Sequence, residues 1–304
     1  MVETLLNSCK VRFIDKRHGK KCSNCTYEGY CPNAYSECEQ CLKLIHYPSL
    51  VSDDAPPRSY NCRHMIDYYL CKYGSRYISE LIYAFGYLKD LKKLKTIKVL
   101  SFGCGPCTDL LALDFLRQSG EYNYSSLEYH GVDYNKVVWN NIHKEIKTLC
   151  PDDTKILIYN KDAHDYLIEA MNDNWVPDLV VFQYFFSDMR KNVDASRISS
   201  FINSFSNYAN TKMPINSYII LNDINLSTDY GGGREYFDKI LRQMNRVLHA
   251  KGYFHNNTSQ KTYIYGHEYE KNDLYFDTSA YDLFTPHKSC SSAQMIIKKS
   301  GEAT

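Results

Sequence analysis

The sequence predicts an α/β protein built on a doubly wound, mostly parallel sheet, and three observations carry that prediction. Five apolar, strand-like runs alternate with helix-compatible segments between residues 98 and 225, the pattern of a parallel sheet with crossover helices. The run VLSFGCGPCT, residues 99–108, passes from an apolar strand through Gly103-Cys104-Gly105 into the helix-compatible DLLALDFL that begins at Asp109. The run PDLVVFQYFFSDM, residues 177–189, is continuously apolar until polarity enters at Gln183, as a central strand buried on both faces requires.

The chain has 304 residues, enough for one full α/β core and a smaller appendage. Hydrophobic residues make up 44% and charged residues 23%, a globular balance that excludes extended disorder. No run is long enough to span a membrane, and MVETLLNSCK lacks the basic flank and apolar length of a secretory signal. The expectation is a cytoplasmic protein without a membrane partner. The net charge of +1 conceals an asymmetry: residues 1–100 hold 16 Lys and Arg against 10 Asp and Glu, the rest 20 against 25. A positive leading segment suits an anionic partner such as nucleic acid, although a solvated basic face is the plainer reading.

Taken in order, KVRFIDKRHGKK (residues 10–21) carries six Lys and Arg against Asp15, a candidate phosphate-contacting arm. Cys22-x2-Cys25 and Cys38-x2-Cys41 follow, twelve residues apart, a spacing that lets four thiolates close a tetrahedral zinc site. Cys31 can substitute for one of them, and an iron–sulfur cluster is the alternative occupant. Such a zinc site would organise a small module able to select nucleic acid or a protein partner and would do no chemistry itself. Three prolines in HYPSLVSDDAPPRSYN mark a linker. Beyond it, Ile66, Leu70, Tyr73, Tyr77, Leu81, Phe85 and Leu88 recur at helical spacing, predicting amphipathic helices interrupted near Gly74. The division expected is a basic arm and cysteine module over 1–55, a helical linker or lid over 56–97, and the α/β domain over 98–304.

Within that domain the glycine turn at Gly103 and Gly105 lets backbone approach a ligand, with the open N–H groups of a helix start behind it. A helix to about Gln118 leads to a second strand, Leu127 to Val132, ending at Asp133, where a carboxylate can accept from ribose hydroxyls. A helix over about 135–149 stops before Pro151, and KILIYN is the third strand, followed by Lys161-Asp162-Ala163. NSYIILNDIN supplies a fifth strand with Asn222-Asp223 at its carboxyl end, and Gly231 to Gly233 form a loop that reads either as a flexible connector or as a mobile clamp.

From about Lys98 to Lys298 these residues resemble the class I, Rossmann-like S-adenosylmethionine-dependent methyltransferases. FGCGPCT is similar to the glycine-rich first motif, GVDYN to the second-strand acid, NKDAHDY to the adenine-contacting segment and DLVVFQYFFSDM to the fourth-strand motif. The resemblance implies a seven-stranded sheet whose last two strands form an antiparallel insertion. It implies S-adenosylmethionine held by Phe102, Gly103, Cys104, Gly105 and Thr108, its ribose by Asp133 beside Tyr134, and its adenine by Asp162 and Ala163. Gln183, at the cofactor and acceptor alike, and Tyr184 would carry or orient the methyl acceptor. Amine-methylating members carry Asn or Asp, two prolines and an aromatic there; this chain has Gln183-Tyr184-Phe185-Phe186. A nicotinamide oxidoreductase is disfavoured because Thr108 stands where G-x-G-x-x-G needs its third glycine. The expected function is methyl transfer to RNA or DNA, the alternatives being a non-catalytic cofactor-binding adaptor and a small-molecule methyltransferase.

Overall fold

A computed structural model describes residues 1–15, 35–46, 60, 62–245, 247–253, 266–267 and 273–301. Cys22, Cys25 and Cys31, with most of the linker, lie outside the described residues. The chain opens with helices α1 (Val2–Asp15), α2 (Tyr35–His46) and α3 (Arg63–Gly86). It continues as β1 (Thr96–Phe102), α4 (Thr108–Gln118), β2 (Ser126–Val132), α5 (Lys136–Leu149), β3 (Thr154–Tyr159) and α6 (Ala163–Ala170). Then come β4 (Leu179–Gln183), α7 (Phe185–Asn192), α8 (Ala195–Thr211), β5 (Tyr218–Ile224) and α9 (Glu235–Gln243), and last β6 (Val247–Tyr253), β7 (Gly266–His267) and β8 (Ser292–Lys299).

The strand order is β3-β2-β1-β4-β5-β8-β6-β7. The first five strands are parallel, and β8 lies antiparallel between β5 and β6. The sheet therefore counts eight strands among the described residues rather than seven, the extra one being the two-residue β7. The expected antiparallel pair is instead a single reversed strand, β8, since β6 runs antiparallel to β8 and so parallel to β5. The fourth strand ends at Gln183, where its apolar run breaks: Tyr184 turns into the left-handed region at φ 55°, and FFSDM becomes the start of α7.

Alternation along the strands builds two cores, because successive side chains point to opposite faces. On β1, Ile97 and Val99 join one cluster with α3, α4 and α5, whereas Leu100 and Phe102 join the other with α6, α8 and α9. Helix α3 is one uninterrupted helix of 24 residues, so Gly74 does not break it. It marks a close approach instead, since a Cβ there would meet Leu6 of α1 at 3.0 Å.

Residues assigned in sequence to the cysteine module and to the linker share the first of these cores. Leu5, Leu6, Cys9 and Phe13 of α1, and Cys38, Leu42 and Ile45 of α2, are buried in the same cluster as Leu70, Leu81 and Val99. Part of the basic arm is likewise absorbed: Arg12 donates to Asp67 at 3.0 Å and to Glu145 at 2.6 Å. No described helix is long and apolar enough to cross a membrane.

The parallel registers end nearly level, with Phe102 opposite Val132 and Phe182, Val132 opposite Tyr159, and Gln183 opposite Asn222. All five loops that follow these residues gather along one edge. The order reverses between β1 and β4, the place where an open α/β sheet leaves a crevice for a ligand. Phe13 stacks on His64 at 4.1 Å and meets Phe284 edge-on at 5.1 Å. Replacing it with Ala should lower stability by about 3–5 kcal/mol, read from urea unfolding of the two proteins; a loss below about 1 kcal/mol would mean that α1 is not part of the core.

Candidate functional site

The turn after β1 is shaped by three consecutive departures into left-handed backbone, at Gly103 (φ 61°), Gly105 (φ 45°) and Cys107 (φ 55°). Glycine is needed at the first for space as well as for φ, because a Cβ would lie 2.9 Å from Phe185. The Cys107 N–H donates to Cys104 O at 2.7 Å and closes the turn, and the Cys104 N–H donates to Val132 O at 3.2 Å. Across the crevice, Asp133 accepts from the Gly105 N–H at 2.9 Å and from the Asn135 N–H at 2.7 Å. Its carboxylate thus staples the glycine turn to the end of β2. Burial pushes its pKa up, against the pull of those two amides.

This turn forms one wall of a cavity of about 1120 Å³. Gly103, Cys104, Gly105, Thr108, Asp133, Tyr134, Asp162, Ala163, Gln183 and Tyr184 all line it. Phe102 does not: its ring is fully buried beneath the site, stacked on Phe182 at 5.1 Å. Asp162 lies at the cavity but its oxygens already have partners. It caps α6 by accepting from the His164 N–H at 2.8 Å, and pairs with Arg197 at 2.9 Å.

Gln183 and Tyr184 stand at the centre of the crevice, and both are held from α3. The Gln183 Nε2 donates to Tyr77 O at 2.8 Å while its Oε1 accepts from the Thr108 hydroxyl. The Tyr184 hydroxyl donates to Glu80 at 2.7 Å and accepts from Arg76 at 2.9 Å. Burial holds the Tyr184 phenol well above its usual range, so it stays protonated. Neither side chain is available as a proton acceptor; both position neighbours.

Sequence reasoning missed the group that fixes them. Glu80 is fully buried and accepts from Arg76 Nε at 2.8 Å, Tyr184, Asn222 Nδ2 at 3.1 Å, and the Ser291 and Ser292 N–H groups at 3.2 Å each. Its signal was present only as a charged pair, Arg76 and Glu80, four residues apart inside an apolar helix. Also missed was the aromatic wall. Tyr69, Tyr73 and Tyr77 lie on one face of α3, with ring centroids 5.0 Å and 5.5 Å apart, and Tyr60 and Trp139 extend them. Burial together with nearby cations lowers His46 and His287 in this wall to about 4, leaving both rings neutral at physiological pH. Asp188 lines the same cavity, its pKa raised by burial against the opposing charge of Lys191.

At the end of β5, Asp223 accepts from the Phe186 and Ser187 N–H groups at 3.0 Å each and so caps α7. The Gly231–Gly233 loop packs onto this carboxylate: a Cβ at Gly233 would meet Asp223 Oδ2 at 2.3 Å, and one at Gly232 the Leu226 carbonyl oxygen at 1.8 Å. Two of the three glycines are thus required by close packing, which a freely moving connector would not need.

No protein-family model matches the chain, and no curated protein matches it. Among solved structures, it is similar to the plantazolicin methyltransferase BpumL in complex with SAH, at 12% identity over 86% of this chain and 98% of that one, TM-score 0.46. It is also similar to human methyltransferase-like protein 13 in complex with SAH, at 11% identity over 75% and 83%, TM-score 0.40. A third is the precorrin-6y C5,15-methyltransferase of Geobacter metallireducens, at 12% identity over 72% and 86%, TM-score 0.37.

Two outcomes test this geometry. Glu80→Gln puts an N–H₂ among donors and leaves the buried Arg76 charge without its partner, and should cost about 3–5 kcal/mol in denaturant unfolding. The second concerns Asp223, which burial raises to about 6. The native state keeps that proton up to about pH 6 whereas the unfolded chain releases it near 3.9. The stability it contributes is therefore present below about pH 4 and is lost as pH rises through 6. Relative to the wild type, Asp223→Asn should gain on the order of 2 kcal/mol between about pH 4 and pH 7, measured by paired urea titrations; a pH-independent difference would refute the raised pKa.

Proposed function

We propose that this chain is an S-adenosylmethionine-dependent methyltransferase acting on a nucleic acid. The observation that carries the first half is the Gly103–Gly105 turn facing Asp133 across the β1/β4 switch point. A backbone without Cβ atoms, a carboxylate at the end of the neighbouring strand and a helix start meet there at one cavity. These residues fit the cofactor. The turn admits its amino-acid portion, and each Asp133 oxygen has a further lone pair for a ribose hydroxyl. Tyr134 and Ala163, which line the cavity, would hold the base, with Asp162 as their polar neighbour.

The sulfonium of the bound cofactor supplies an activated methyl group, which leaves the chain to position an acceptor and accept its proton. Gln183 and Tyr184, locked against α3, fix the distance between the cradle and the aromatic wall. Asp188 is the carboxylate suited to take the proton. A cavity of about 1120 Å³ exceeds the range of roughly 300–1,000 Å³ usual for one small ligand, which supports two occupants.

The nucleic-acid half rests on the aromatic wall of Tyr69, Tyr73 and Tyr77, of which Tyr73 is the half-buried ring, and on Lys43 at the same cavity, Lys72 and Lys161 being paired with Glu39 and Glu169. Within this proposal Cys38 and Cys41, one turn apart on α2, are the described half of a zinc set completed by Cys22 and Cys25, or Cys31 as substitute. Iron with visible absorbance in the purified protein would replace zinc by a cluster there. A non-catalytic cofactor-binding protein is the second reading, favoured by the Gln183 amide, whose oxygen and nitrogen are both engaged within the protein.

Asp133→Ala should weaken S-adenosylhomocysteine binding by about tenfold to a hundredfold in calorimetry. Incubation with methyl-labelled cofactor and separate RNA, DNA, protein and small-metabolite fractions should label nucleic acid. No cofactor binding by the wild type sinks the proposal, binding without transfer establishes the second reading, and label in the metabolite fraction removes the nucleic-acid half.

A further inference from the structure

The stretch Cys104-Gly105-Pro106-Cys107 places two cysteines three residues apart inside the glycine turn, and α5 brings His143 against them. The ligand atoms of Cys104, Cys107 and His143 all lie within 4.8 Å of one another, and all three residues are buried. The geometry points to a thiophilic divalent metal site, zinc in the first instance, on the sheet side of this turn. It is separate from the N-terminal cysteines and independent of whether the chain transfers methyl groups.

Three observations carry it. A tetrahedral zinc with two sulfur ligands at about 2.3 Å and one nitrogen at about 2.0 Å needs its donors about 3.5–3.8 Å apart, so this cluster closes on the ion with side-chain movements of about an ångström. His143 Nε2 lies 2.6 Å from Gly105 O. A carbonyl oxygen only accepts, so Nε2 carries a proton and Nδ1 holds the lone pair. A ring nitrogen anchored to a backbone carbonyl is the usual support of a metal-ligating histidine. Finally, Cys107 sits at φ 55° with no side-chain cap bond to the helix it precedes. A left-handed backbone suits glycine and costs other residues about a kilocalorie per mole or more; a thiol kept there has to contribute something a glycine would not.

The donor set selects the ion. Two thiolates and a neutral imidazole around a dication make a site of zero net charge, the condition under which charged groups are held in a buried place at least cost. Cys104 Sγ packs against Gly131, where a Cβ would approach it to 2.8 Å, so the metal would stand behind the turn. Cys104 also lines the cavity, which lets water complete the fourth corner. The metal would then clamp both ends of the turn to α5.

The test uses the full chain in three forms: wild type, Cys38→Ser/Cys41→Ser, and that double variant with Cys107→Gly added. Each is equilibrated with zinc, freed of excess by gel filtration and assayed for metal by plasma mass spectrometry; cobalt replaces zinc in a parallel absorbance measurement. The double variant should keep one zinc per chain and show a thiolate-to-cobalt charge-transfer band. Adding Cys107→Gly should abolish both and lower Tm, even though glycine relieves the φ strain. A double variant without metal or charge-transfer band overturns the inference, as does a Cys107→Gly protein that keeps its zinc or gains Tm. A loss of two mass units that maps to a Cys104–Cys107 disulfide in the freshly purified, unreduced chain also overturns it, because the thiols would then serve a redox pair.

Discussion

The Glu80 carboxylate is the constraint on which the rest of the site depends. A carboxylate taken out of water is expensive unless nearly every lone pair finds a donor, and here five donors come from α3, Tyr184, Asn222 and the start of β8. Gln294 closes the ring by donating to both Glu80 O at 2.6 Å and Asn222 Oδ1 at 2.7 Å. A long helix is thereby pinned across the carboxyl ends of β4 and β5. The network does not make the fold stable by itself, since apolar side chains of the same shape can serve as well. It makes the placement of α3 specific, and with it the distance from the tyrosine wall to the glycine turn.

The opposite side of the crevice is arranged by a second carboxylate in a different way. Asp133 binds backbone amides only, one from the turn after β1 and one from its own loop. It fixes main chain, while Glu80 fixes side chains. Asp223 repeats the Asp133 solution at the mouth of α7. Three buried acids thus hold three loops at the edge where the parallel strands end, and the apolar alternation of the strands carries the two cores beneath them.

Much of this was legible in the sequence, and what was not has a physical reason. The strands from β1 to β5 and the helix starts were readable because buried parallel strands are apolar throughout and glycines mark the turn. The place of Asp133 beside the glycine turn was readable because the apolar run of β2 stops at Val132, whereas its bond to the Gly105 N–H was not. Gln183 and Tyr184 line the cavity, but their hydrogen bonds to Tyr77, Arg76 and Glu80 span about a hundred positions, and no local pattern encodes them. Phe102 was misread because a strand's last residue can face either a ligand or the core, and period two alone does not decide which. Gly74 looked like a break for a related reason: the cost of glycine in a helix is visible locally, whereas the benefit of a close Leu6 contact is not. The Gly231–Gly233 run shows the same asymmetry, its meaning lying in Asp223 and Leu226.

The place of α1 bears on how the chain reaches this state. Its apolar face packs on α3 and on Phe284, and Tyr281 donates to Asn7 across 274 positions at 3.0 Å. Helix α1 therefore acquires part of its binding surface only after Tyr281 and Phe284 have been made. Even with α3 in place, the Phe13 ring keeps the edge that Phe284 covers open until then, the kind of surface that draws chaperones or neighbouring nascent chains. Loop closure over that span makes the contacts of α1 with Tyr281 and Phe284 later than its docking on α3. The kinetic hazard of this fold thus sits on α1, far in sequence from the residues that complete its cover.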